Sequence, residues 1–175
     1  LANVGQSRRW SDRLDPVETI AIAEGLDSYQ PQAGQEVTLP DGETRGWQTV
    51  ELDASGQLDR QALGRGGYLY VPLESPEDRP IVLNVVGHGG LHFNGQPHTA
   101  NIYGRGYYHV PVMARQGINR LLIQSGRGSI GLKWYVPPSP VFLLDGDQTL
   151  PDLVVGQPTD TWGAVIVINT TSKPT

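Results

Sequence analysis

The chain has 175 residues, a length at which one domain with a sizeable core is expected, and its 38% hydrophobic and 18% charged residues match an ordered globular domain. A net charge of −5 and the lack of a basic block argue against nucleic-acid or anionic-membrane binding. The absence of cysteine excludes disulfides, thiolate metal sites and thiol nucleophiles, and no apolar run approaches the ~18 residues of a membrane-spanning helix.

High glycine (22) and proline (14) content, spread without a repeat, points to many short strands joined by turns. The chain begins with Leu1 and shows no signal-peptide pattern, as a mature form or a piece of something longer would. Residues 1–45 read as an irregular N-terminal extension packing on the rest. Within it, Pro16 to Gly25 fits a helix with Asp15 as N-cap and Gly25 as stop. It equally fits a strand, because Val17, Thr19 and Ile20 are β-branched.

From Trp47 the pattern becomes strand-like. Gly67 to Leu73 is aromatic and β-branched, and Ile81 to Val86 is apolar nearly throughout, as a strand buried on both faces would be. Leu91-His92-Phe93 alternates and then meets Asn94-Gly95, a hairpin turn signal. Tyr107 to Val112, Ile118 to Gln124 and Ser129 to Val136 follow as strands. This rhythm is that of a β-sandwich or barrel, here over residues 46–169. Pro137, Pro138 and Pro140 interrupt pairing, Asp145-Gly146-Asp147 reads as a turn, and 163–169 as a final apolar strand. Residues 170–175 read as a linker or tail.

The buried strand Ile81–Val86, the "LHFNGQ" turn, the "NIYGRGYYH" loop and the "GINRLLIQ" strand occur in an order that resembles the galactose-binding-like jelly-roll. That all-β sandwich serves sugar-binding domains of β-galactosidase and β-glucuronidase type enzymes. "FNG" is similar to the family's V-x-V-N-G, and "GINRLLIQ" to its G-x-N-x-L-x-V; together they cover about a third of the chain. Adding "GGYLYVPLES" and "TLPDLVVG", the chain also resembles the N-terminal accessory domain of large bacterial exported hydrolase-like proteins. The resemblance implies a non-catalytic, exported accessory module, periplasmic or extracellular, with a catalytic domain downstream. Its role would be to bind carbohydrate or to pack on that domain. A stand-alone glycoside hydrolase with a carboxylate pair is the alternative, because such a pair is defined in space and not by spacing.

Three of the four histidines fall in residues 87–98 and raise the question of a metal site. A two- or four-residue loop at Asn94-Gly95 places His98 on the face of Leu91 and Phe93, and His92 on the other face. The expectation is therefore no metal and no cofactor. Gly126 to Gly131 spells G-x-G-x-x-G, but a strand follows it where a dinucleotide site needs a helix, so it reads as a glycine-rich hairpin. No G-x-S-x-G is present, and no catalytic residue is assigned. Tyr103, Arg105 and Tyr107, with His92, are the candidate ligand residues, since aromatic faces stack on sugar C–H surfaces and Arg and His bond hydroxyls. The alternative places Tyr107 or Tyr108 in the core and Tyr103 as a cap at one end. Trp47, Trp134 and Trp162 are expected in the core or at a domain contact.

Overall fold

The structure is a computed structural model that describes residues 2–4, 15–38, 42–58, 67–101, 103–126, 129–158, 160–171 and 173. At the N-terminus the helical option holds. Helix α1 (Pro16–Glu24) starts at Asp15, whose Oδ1 accepts hydrogen bonds from the backbone N–H groups of Val17 (3.0 Å) and Glu18 (3.1 Å). Such a cap contributes about 1 kcal/mol. Gly25 ends the helix at φ 89°, a conformation that glycine adopts without the strain a Cβ brings.

The described strands are β1 (Ala2–Val4), β2 (Glu36–Thr38), β3 (Thr44–Gly46), β4 (Gln48–Thr49), β5 (Gln57–Leu58), β6 (Tyr68–Ser75), β7 (Arg79–Val86), β8 (His88–Phe93), β9 (Gln96–His98), β10 (His109–Ala114), β11 (Gly117–Ser125), β12 (Ile130–Tyr135), β13 (Val141–Thr149) and β14 (Ala164–Asn169). Every pairing between them is antiparallel. A six-stranded sheet runs β4-β1-β6-β11-β8-β9, and a four-stranded sheet runs β10-β7-β12-β5. Their inner faces enclose the main core. Leu69, Val71 and Leu73 of β6, Leu121 and Ile123 of β11, and Leu91 and Phe93 of β8 meet Ile81, Leu83 and Val85 of β7 and Ile130 and Leu132 of β12. The protein is thus mostly β, with two antiparallel sheets packed face to face.

The outer faces are also covered, which explains why β6 and β7 lack alternation. On β6, the outward Tyr68 and Tyr70 join Val17 and Ala21 of α1, Tyr29, Val37 and Trp47 in a second apolar cluster. On β7, the outward Val82 packs against Leu144 of β13 and Ile168 of β14. The molecule is layered as N-terminal cover, six-stranded sheet, four-stranded sheet, C-terminal hairpin. Within the expected irregular extension, the described residues 15–38 and 42–46 carry α1 and the paired β2 and β3.

Three expectations change. Asp145-Gly146-Asp147 lies inside β13, not in a turn; the β13–β14 ladder loses register between Leu144 and Thr149, and this irregularity brings Gly146 beside Tyr107. The glycine-rich connection after β11 is not a hairpin, because β11 belongs to one sheet and β12 to the other, and Arg127 and Gly128 lie outside the described residues. Of the tryptophans, Trp47 is buried as expected, but Trp134 is 50% and Trp162 92% exposed. Trp134, paired with Leu83 near the end of β12, and Trp162, just before β14, therefore lie outside the core of this chain, and the domain-contact alternative stands.

Candidate functional site

The Asn94-Gly95 turn has φ of 47° and 81°, positive at both positions as a type I′ turn requires. Leu91 pairs with His98, His92 with Pro97 and Phe93 with Gln96, the register of a two-residue loop. Asn94 does more than turn the chain. Its Nδ2 donates to Asn119 Oδ1 (2.7 Å), and its Oδ1 accepts from the Arg120 N–H (2.8 Å). Asn119 is fully buried and ties the turn before β11: Oδ1 accepts from the Arg115 N–H, and Nδ2 donates to the Arg115 carbonyl, each at 2.8 Å. The two asparagine signatures of the sequence therefore meet in one buried network. Its position under the hairpin, with Gly95 against the backbone of Leu26 and Asp27, marks it as architecture.

The histidines divide by role. His88 is buried and donates through Nε2–H to the Thr99 carbonyl (3.0 Å); burial lowers its pKa. His109 bridges strands of the four-stranded sheet, with Nδ1 2.9 Å from Tyr135 Oη and Nε2 2.8 Å from Asn84 Nδ2. The same Nε2 lies 3.2 Å from the Gly106 carbonyl, which also accepts from Asn84 Nδ2 at 3.1 Å, so the imidazole and the amide share one loop carbonyl. His92 and His98 border one recess on the outer side of the six-stranded sheet, of about 290 Å³, which Glu18, Tyr68 and Gln124 also line. Burial, and next the charge of neighbouring His92, lower the pKa of His98. Among the described residues no group of three or more His, Asp or Glu side chains is arranged to hold a metal ion.

The candidate ligand residues do not form one site. Tyr103 is 80% exposed, and Arg105 is also exposed, on the loop joining β9 to β10. Tyr107 stacks on Tyr108 at a 5.2 Å ring separation and lies beside Gly146 of the C-terminal hairpin, where an added Cβ would stand 3.6 Å from the Tyr107 Cβ. None of these tyrosines enters the core. His92 lies apart from them, between α1 and the β8–β9 edge. The residue that organises the tyrosine loop is Asn101, which carried no local sequence signal. Buried at 2% exposure, it accepts from the Arg105 N–H (2.8 Å) and donates to the Arg105 carbonyl (2.7 Å) and, more weakly, to the Val85 carbonyl (3.3 Å).

Unlike Asp145 and Asp147, which lie in β13, two other carboxylates hold turn or loop backbone. Asp53 Oδ1 accepts from Ser55 and Gln57, which lowers its pKa, and Asp78 Oδ1 accepts from the Gln116 N–H; Asp41 lies outside the described residues.

A third surface is apolar. In the C-terminal hairpin, Leu143 pairs with Val167, which places Val141, Leu143, Val165 and Val167 on one face, and all four are exposed. The opposite face carries Phe142, Leu144, Ile166 and Ile168, which pack on the sandwich. No family model, no curated protein and no solved structure matches the chain.

Proposed function

We propose that this chain is a non-catalytic accessory module that docks on a neighbouring catalytic domain of the same polypeptide through the outer face of its C-terminal hairpin. The observation that carries this reading is the four-residue apolar face of β13–β14, with Leu143 at 65% exposure. Water-exposed aliphatic residues aligned on one sheet face are characteristic of an interface, whereas singly scattered ones need no explanation. Within the sandwich class, the galactose-binding-like jelly-roll is the finer reading, supported by the contact between Asn94 and Asn119. Carbohydrate binding at Tyr103, Arg105 and Tyr107 is the second reading, favoured by the exposure of Tyr103 on a loop that Asn101 holds in place.

Hydrogen exchange tests the docking. Amides of residues 141–149 and 164–169 should exchange more slowly in the full-length gene product than in the isolated chain. Equal exchange in both, or a gene encoding no further domain, sinks the reading. For the second reading, a glycan array on the isolated chain should show binding that Tyr103→Ala abolishes; silence on every glycan overturns it.

A further inference from the structure

We infer that the recess between α1 and the β8–β9 hairpin binds one uncharged, hydroxyl-rich small molecule, a polyol or single sugar unit. It stands apart from the docking surface, since the recess lies outside the six-stranded sheet and the hairpin covers the four-stranded one. Its volume of about 290 Å³ falls just below the roughly 300–1,000 Å³ of small-molecule sites, which fits a single small unit and not a chain.

The floor is backbone. Gly89 and Gly90 lie beneath the opening, and a Cβ on Gly90 would stand 3.3 Å from Gln124 Oε1. The Gln124 amide is oriented, because its Nε2 donates to Tyr68 Oη at 2.9 Å, which leaves Oε1 on the Gly90 side as an acceptor. Glu18 adds a carboxylate from the first turn of α1, where its own N–H is held by Asp15. His92, on the outer face of β8 beside Leu122, adds the remaining polar side chain, and His98, paired with Leu91, borders the recess at the edge of the sheet.

These groups select a ligand by chemistry. A neutral imidazole offers one donor and one acceptor, and an amide carbonyl and a carboxylate accept. Each hydroxyl of a polyol donates and accepts, so adjacent hydroxyls satisfy such a wall. An anion would meet Glu18, with no Lys or Arg among the lining residues to offset the repulsion. Hydrogen bonds to a charged carboxylate are the stronger kind, which makes Glu18 the principal anchor.

The test is a titration of the ¹⁵N-labelled full chain, followed by amide shifts. The probes are the methyl glycosides of glucose, galactose and mannose, with sodium phosphate and methylamine as charged comparisons. At least one glycoside should give saturable shifts at Gly89, Gly90, His92 and Gln124. Glu18→Gln should weaken that binding about tenfold, the equivalent of one charge-assisted hydrogen bond. Leu143→Lys, on the far side of the molecule, should leave it unchanged. Failure to saturate with any glycoside, shifts confined to residues 103–108, tighter binding of phosphate or methylamine, or an unaffected Glu18→Gln each overturns the inference.

Discussion

Replacing Asn119 with Ala tests whether the paired asparagines hold the sandwich together. The side chain is fully buried and makes three hydrogen bonds of 2.8 Å or shorter: from Asn94 Nδ2, from the Arg115 N–H and to the Arg115 carbonyl. Arg115 is exposed, so water can take over its two backbone groups and the loss there is modest, about 0.5 kcal/mol each. Asn94 is itself buried, and its Nδ2 would lose the partner it has, at about 1–3 kcal/mol. Together these give a destabilisation of about 3 kcal/mol, or a melting temperature lower by roughly 6–12 °C for a chain of this size. Urea unfolding of the wild type, Asn119→Ala, Asn94→Ala and the double variant measures it. The midpoint should fall at unchanged slope, and the cycle should show coupling well above the ~0.5 kcal/mol typical of independent sites. A single-variant loss under about 1 kcal/mol, or additive effects, refutes the reasoning.

The tryptophans should separate by layer: Trp47→Ala should cost about 3–5 kcal/mol, and Trp162→Ala under about 0.5 kcal/mol, in the same unfolding assay. Burial lowers the pKa of His88, so the unfolded chain takes up this proton first as pH falls. Stability should therefore be level above about pH 6.5 and decline below it, and His88→Gln should reduce that decline; an unchanged pH profile in the variant contradicts the assignment.

Local geometry was readable because its causes are local. Asp15 and Gly25 mark the ends of α1 within its own segment, although β-branched Val17, Thr19 and Ile20 left a strand equally open, and Asn94-Gly95 places the β8–β9 turn through its positive φ. The strand rhythm and the double burial of β7 followed from composition. What covers β7 did not, because Leu144 and Ile168 reach Val82 from β13 and β14, at the far end of the strand order. The same limit applies to the candidate site. Tyr103, Arg105 and Tyr107 share a loop and were readable as a group, but Asn101 depends on Val85 in a preceding strand. The recess draws Glu18, His92, His98 and Gln124 from separate elements, so only His92 of that set stood out among the expected ligand residues.

The sheet order also bears on how the chain comes together. From β6 to β12 the chain crosses between the two sheets at every step except the β8–β9 hairpin. Strands β6 and β8 meet only through β11, which begins at Gly117. Until that strand arrives, each presents an unpaired edge, and no early segment closes a sheet by itself. Loop-closure entropy must be met before these distant pairings yield stability, so the sandwich assembles slowly and as one unit. A chain stopped before residue 117 would expose two hydrophobic strand edges at once, which makes aggregation rather than a partial fold its expected fate.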